Sequence, residues 1–368
     1  MSGNNKPFHQ WVGVVESRQD PLKLGRCRVR VFGEDDGNES KSDNLPFASV
    51  SNAPNVRNNK TPYEGDWVWG FYLDGDQKQQ PVVAGILHGI NSSVNYGSGF
   101  ADTRSDKDVM DSPSQGRYPL SDEIGKPSTS KYYRGEDVDS AGTLLNKIKT
   151  TRIKNIPLPD GSTWSQPEPA YGAKCPYNSV QESESGHLWE IDDTPGAERI
   201  NIAHRTGTYT EYRPDGSKVQ VINGTGYTVV AGDDNIFISG SCNLTVTGNV
   251  NILVNGNVNA KIMGNTDVYS KGATTVKTDS TMDLVSKGDM TLKTNSNMVL
   301  DADGNVTIKT PDRVTNDTPL VNTTGDIVAK GDIKDVSGGK SMSGMRATFD
   351  SHKHPETQSI TDVPLEKM

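Results

Sequence analysis

Two histidines two residues apart, in Ser351-His352-Lys353-His354-Pro355, are the clearest candidates for chemistry in this 368-residue chain. On a strand, side chains two apart leave the same face, so both imidazoles would point one way. One chain then offers two nitrogen donors, too few to hold a metal. If three copies meet on an axis, six imidazoles converge, and six neutral nitrogens suit one octahedral transition-metal ion per trimer, iron or nickel rather than tetrahedral zinc. An HxH pair in a monomer reads better as two exposed histidines, so the metal reading depends on three-fold symmetry elsewhere in the chain. Glu123, Glu136 and Asp137 could in principle supply a hydrolytic acid and base, but carboxylates in a polar stretch are ordinarily solvated. Cys27, Cys175 and Cys242 are odd in number and lack metal-ligand spacing, which leaves them as buried or incidental thiols.

Three-fold symmetry is what the repeat requires. Glycine recurs every eight residues at Gly216, Gly224, Gly232, Gly240, Gly248, Gly256, Gly264, Gly272, Gly288 and Gly304, and Ser280 and Ser296 fill the vacant registers. Val230, Ile238, Val246, Val254 and Ile262 stand two before an octad head. Ile236, Leu244, Ile252, Val268, Val276, Leu284, Leu292, Leu300 and Ile308 stand four after one. All are even-numbered, while Asn243, Asn251, Lys261, Lys277, Asp283 and Lys293 are odd, so alternation along a strand puts one apolar row against a polar one. Glycine at each head suits a corner with positive φ or close backbone approach. An octad reaches at most roughly 27 Å and presents one face, too little to enclose a core. Three chains wound about an axis, each handing its strand edge to a neighbour, supply the missing faces. About ten octads over 230–310 at 4.8 Å per layer would make a shaft on the order of 50 Å. A single-chain solenoid needs longer repeats.

Composition agrees with an elongated protein. Hydrophobic residues make up 32% and aromatic residues 7%, with 37 glycines, too lean for compact cores throughout. A net charge of −9 removes nucleic acid as a partner, because no basic stripe is available to displace counterions. No apolar run reaches membrane-span length and MSGNNKPFHQ lacks a signal-peptide core, which implies synthesis in the cytoplasm. Near the N-terminus, HQWVGVVES, GRCRVRVFG, DWVWGFYL and QPVVAGIL read as strands of a small barrel. Arg26, Arg28 and Arg30 alternate along one of them, either a docking surface or a solvated face. From Ala101 to Gly172 the chain is polar and reads as a linker, helical at most around Ser140 to Lys149. Beyond Pro311 the apolar residues Val321, Ile327, Ala329 and Ile333 move to odd positions, so the shaft narrows or refolds.

Several of these segments resemble a known family, the cell-puncturing central spikes of contractile-tailed phages of the T-even type. Trp11-Val12-Gly13-Val14-Val15-Glu16 followed by Asp20-Pro21-Leu22-Lys23-Leu24-Gly25-Arg26 is similar to the start of that family's N-terminal OB-fold barrel. Pro176-Tyr177-Asn178-Ser179-Val180, Glu184-Ser185-Gly186-His187, Asp192-Asp193-Thr194-Pro195-Gly196 and Thr206-Gly207-Thr208-Tyr209 resemble the lead-in to its triple-stranded β-helix, and DDTPG occurs also in type VI secretion spikes. The resemblance implies an all-β protein: an OB-fold barrel (1–101), a polar linker (102–172), a β-rich lead-in (173–229), an octad-repeat intertwined β-helix (230–310) and a narrowing, metal-capped tip (311–368). It departs from the T-even pattern at the linker, whose roughly 70 residues are too few for the muramidase found there, so no enzymatic activity is carried over. SHKHP resembles the iron-binding apex of simpler phage spikes, which implies His352 and His354 as ligands of iron.

The expectation is therefore a structural homotrimer in the virion tail baseplate. It would be joined to hub and tail tube proteins through the barrel, and driven through the host outer membrane into the periplasm on sheath contraction. A spike of a type VI secretion system or tailocin is the nearest alternative. A trimeric receptor-binding fibre and a residual peptidoglycan hydrolase are more distant ones.

Overall fold

The computed structural model divides the chain into two compact units, Met1–Asn259 and Ala260–Met368. The residues described are 9–35, 42–52, 60–91, 107, 123–333, 341–354 and 362–363. Within the linker and tip, 102–106, 108–122 and Pro355 of the histidine motif lie outside them. The described chain is mostly β with few helices, the class expected.

The first unit opens with a closed barrel of β1 (His9–Ser17), β2 (Cys27–Val31), β3 (Phe47–Val50), β4 (Trp67–Tyr72) and β5 (Pro81–Ile86). Around the barrel the order is β1-β2-β3-β5-β4, with β3 and β5 parallel and the other pairs antiparallel, an OB-fold arrangement. Alternation along the strands sends Trp11, Val15, Cys27, Val29, Val31, Val68, Tyr72 and Val83 into one core. Gly70 is needed there, because a Cβ would run into the Val82 carbonyl and the Trp11 ring. Burial pushes the Cys27 thiol up to about 12, which makes it inert.

The three arginines of β2 and its approach are each tied to a partner within the chain. Arg26 is clasped by Asp20, with an Nη2 to Oδ1 distance of 2.7 Å. Arg28 donates to the Ser42 carbonyl at 2.8 Å and to Asp43 at 3.0 Å while stacking on Phe47. Arg30 is buried on Glu16, with Nη2 to Oε2 at 3.1 Å and a second, shorter bond from Nε. Alternation places them on one side, as expected, but the β1 carboxylate and the following loops cover that side.

Residues 123–172, read from the sequence as polar linker, contribute to a second core. Helices α1 (Lys131–Arg134) and α2 (Leu144–Thr150) are capped by Ser130 and Thr143, whose hydroxyls accept from Tyr132 N and Asn146 N. A short hairpin of β6 (Ile156–Pro157) and β7 (Thr163–Trp164) follows. Tyr132, Val138, Leu144, Leu145 and Ile148 are buried against an antiparallel sheet, each aliphatic contributing roughly 1.5–3 kcal/mol. That sheet comprises β8 (Asn178–Glu182), β9 (Leu188–Asp192), β10 (Arg199–Ala203), β11 (Tyr209–Tyr212) and β12 (Lys218–Val221), paired in chain order. Its covered face carries a charged cluster. Arg199 donates to Glu211 at 3.0 Å and forms a shorter contact with Glu190, Asn178 Nδ2 donates to Glu190 at 3.0 Å, and all four side chains are buried.

After β12 the chain of the first unit bends at 223–224, 231–232, 239–240, 247–248 and 255–256, straight between bends. In the second unit the same eight-residue spacing runs from 263–264 to 311–312, after which bends fall at 319, 324–325 and 330–331. Helix α3 (Met342–Ser351) follows, capped by the Ser341 hydroxyl, which accepts from Gly344 N at 2.9 Å.

Candidate functional site

The octads leave their chemistry unpartnered within one chain. Between 225 and 332 no backbone group hydrogen-bonds to another among the described residues, yet such groups need partners wherever apolar side chains shut out water. The apolar row is open: Ile252 is 81% and Val254 47% exposed, and Ile236, Leu244, Leu284, Leu292 and Leu300 resemble Ile252.

Two columns of the repeat escaped the reading by glycine spacing. Residues two after the octad head include Met282, Met290 and Met298 in consecutive octads, all exposed in the single chain. Two before the head, the aliphatic run that ends at Ile262 gives way to Ser270, Thr278, Ser286 and Thr294. Three of these hydroxyls accept the amide two residues on: Thr278 from Ser280 at 3.2 Å, Ser286 from Gly288 at 3.3 Å, and Thr294 from Ser296 at 3.1 Å. They pin the bend locally, as short hydroxyl side chains do in turns. Sorting the octads into columns exposes both features.

The octad glycines do not serve the purpose expected of them inside one chain. Gly216 has φ +78°, but none from Gly224 onward has a left-handed φ, and a Cβ at Gly232, Gly240, Gly248 or Gly256 would meet nothing within 4 Å.

At the tip, the two histidines follow a helix rather than lying on a strand. The hydroxyl cap at Ser341 and the helix-forming Met342, Met345, Arg346 and Ala347 wind α3 up to Ser351. His352, its C-cap, is extended at φ −71° and ψ 148°. The His352 and His354 rings are brought together, 4.9 Å between centroids and 87° between planes. His352 Nδ1 lies 2.6 Å from the Phe349 carbonyl, which can only accept, so Nδ1 is the donor and Nε2 is the nitrogen left to ligate when the ring is neutral. A backbone carbonyl fixing the far nitrogen is how ligating histidines are oriented, so His352 fits a metal. Among the described residues no group of three or more His, Cys, Asp or Glu side chains in one chain could hold an ion. A filled coordination sphere at the histidines would draw on further copies.

The carboxylates weighed for hydrolysis each end on a cation. Glu123 faces Lys131 at 3.5 Å and Arg134 at 3.7 Å, Glu136 lies 3.2 Å from Arg134 Nε, and Asp137 accepts from Lys126 at 2.9 Å. Lys126 holds the Asp137 carboxyl below the usual carboxylate range, the opposite of what a general acid needs.

No family model matches the chain. Protein Gp5 of Vibrio phage KVP40 is 34% identical over 270 residues, 63% of this chain and 61% of that protein. The pre-baseplate central spike protein Gp5 of Enterobacteria phage T4 is 32% identical over 112 residues, 28% of this chain and 20% of that protein. The match thus spans about three-fifths of the first relative and a fifth of the second. With its OB-type barrel and its octad repeat, the chain is similar to the phage Gp5 proteins, of which the T4 one is named a pre-baseplate central spike protein.

Proposed function

We propose that three copies of this chain form the central spike of a contractile phage tail, which pierces the host outer membrane by force and turns over no substrate. The observation that carries this reading is the octad run, where apolar side chains lie open, no described backbone group pairs with another backbone group in one chain, and both features share one eight-residue period. Three identical chains satisfy both at once. They also give the octad glycines a purpose, since space left open beside Gly232 or Gly240 in one chain is where a neighbour's backbone could approach.

In this reading the barrel joins the spike to hub and tail tube proteins, and the octads transmit axial load. His352 and His354 of three chains would hold one octahedral ion, most naturally iron, that cross-links the strands at the apex. The subunit would be made in the host cytoplasm, reside in the virion baseplate and enter the periplasm during infection. Gold labelling of this subunit in intact virions, viewed by electron microscopy, tests the assignment. Label on the central axis of the baseplate is expected, and label on peripheral fibres would overturn it. Absence of clearing on peptidoglycan zymograms is expected of the non-enzymatic reading, and clearing would overturn that part.

A further inference from the structure

Two imidazoles away from the octads and the tip lie against each other. His187 closes the β8–β9 turn and His204 opens the β10–β11 turn, at one end of the five-stranded sheet, with ring centroids 4.3 Å and planes 47° apart. The antiparallel register that sets Leu188 opposite Ala203 brings them together. Both rings accept from the same turn. Arg205 N donates to His187 Nδ1 at 3.3 Å, and Thr206 N donates to His204 Nδ1 at 3.3 Å. An amide can only donate, so this arrangement requires neutral rings with the proton on Nε2. The Thr206 hydroxyl, 2.8 Å from the same His204 nitrogen, then donates to it as well.

The pair stands between two anchored turns. On one side, the His187 amide donates to Ser183 Oγ and its carbonyl accepts from the Ser183 amide, both at 2.9 Å, closing the turn whose Glu184 pairs with Arg18 of the barrel. On the other, the Thr206 carbonyl accepts from Asn223 Nδ2 at 3.1 Å and the Thr208 hydroxyl from the Asn223 amide at 3.0 Å. Asn223 begins the bend at 223–224, where the octads start.

We infer that His187 and His204 form an acid-sensitive latch that, when neutral, holds the β10–β11 turn against the β8–β9 turn and fixes Asn223 at the head of the octads, and that releases both when protonated. A proton on either Nδ1 turns an acceptor into a donor aimed at an amide, and two charged rings this close repel. The surrounding charges add to that repulsion. Arg205 lies on the turn itself, Lys147 of α2 donates to the Arg205 carbonyl at 2.8 Å, and Glu184, the acidic neighbour, is occupied by Arg18. Burial first, and then His204 and Arg205, hold the His187 imidazole below its ordinary value of 6.5. The open turn therefore binds the proton more tightly than the closed one. The latch is fully closed above 6.5, and the penalty grows as pH falls from there through the lowered value.

Hydrogen exchange in the full chain tests this. Exchange at the imidazole C2 carbon, followed by mass spectrometry, reads the titration of each histidine, and amide exchange corrected for intrinsic rates reads the turn. From about pH 8 to about pH 5, protection at Arg205, Thr206 and Asn223 should fall at least about tenfold in wild type. Ser217 in the β11–β12 turn should keep its protection, because its acceptor Asp215 is held below the usual carboxylate range and stays charged. His187 should titrate at a higher pH in His204→Gln, which removes a like charge. With both histidines changed to Gln the turn should exchange equally fast, after correction, at both pH values. A flat wild-type profile, or a pH step that survives in the double variant, would overturn the latch. A step at Arg205 and Thr206 with Asn223 unchanged would overturn its reach to the octads.

Discussion

Arg18, just past the end of β1, reaches across to Glu184 in the β8–β9 turn with both terminal nitrogens, at 3.1 and 3.3 Å, while its Nε donates to Glu64 at 2.8 Å. One guanidinium therefore clasps the OB-type barrel to the following sheet, with the Tyr63 ring beneath it at 4.8 Å. Planar, bidentate pairing is what arginine does and lysine cannot. A double-mutant cycle with Arg18→Met and Glu184→Gln should give a coupling of roughly 0.5–3 kcal/mol. Arg18→Met should cost more than Glu184→Gln, because it also strands the buried Glu64. Denaturant midpoints for the two single variants check the order, and equal losses would contradict it.

Arg199 is the single buried cation between Glu190 and Glu211 on the inner face of the sheet. Arg199→Met should destabilise by about 3–5 kcal/mol, since two buried carboxylates lose the cation they share and keep only Asn178, the Ala170 amide and the more distant Arg213. Burial raises the Glu190 carboxyl above its ordinary value of 4.5, with Arg199 opposing the rise. A raised folded-state value means that protonation favours the folded form, so this penalty is present at neutral pH and relieved as pH falls through the folded value toward 4.5. Between pH 7 and about 5, the variant should thus recover part of its loss relative to wild type in urea titrations. A loss that grows on acidification would contradict the assignment.

Asp20 organises the loop between β1 and β2. Its carboxylate accepts from the Leu22, Leu24 and Arg26 amides at 3.0, 2.9 and 3.3 Å and from the Arg26 guanidinium at 2.7 Å. The Arg26 pairing first, and then the amides, hold this carboxyl well below the usual range. A lowered folded-state value gives stability that is present above the ordinary carboxylate range and lost only as pH falls through the lowered one. Amide exchange at Leu24 and Arg26 should stay slow at pH 4 in wild type and become fast already at pH 7 in Asp20→Ala. Unchanged protection in the variant would show that the loop holds without the carboxylate.

How much of this could be read from sequence depended on the range of the interaction. The barrel strands were legible because alternation of Cys27, Val29 and Val31 with Arg28 and Arg30 is a property of adjacent residues. The octads were legible because glycine spacing is too. The arginines' partners were not, since Glu16 lies 14 residues from Arg30 and Glu184 lies 166 from Arg18. Residues 123–172 looked like linker because Tyr132, Val138 and the Leu144, Leu145 and Ile148 cluster are scattered among polar residues, and only the sheet beyond Asn178 gives them a face to cover. At the tip the HxH spacing suggested a strand, but the capping hydroxyl at Ser341 and a run of helix formers put a helix in front of it.

His352 and His354 carry a separate expectation. Protein purified without an affinity tag should hold about one transition-metal ion per three chains, and His352→Ala with His354→Ala should lose the metal while keeping the oligomer. Because ligation needs neutral imidazole, acid should release the ion before the octads come apart. Elemental analysis decides it, and metal content near zero, or unchanged in the double variant, would show that the histidines bind nothing.

The central claim is that the octads of one chain are completed by two others. Sedimentation equilibrium at micromolar concentration measures this directly. The wild-type chain should weigh three times its own mass. Ile252→Asp should drop to a monomer or fail to accumulate, because three carboxylates would meet on a dry axis. Asn251→Asp, one residue away on the opposite face, should remain three chains. A compact, soluble wild-type monomer, or an Ile252→Asp protein with unaltered trimer mass and yield, would contradict the claim.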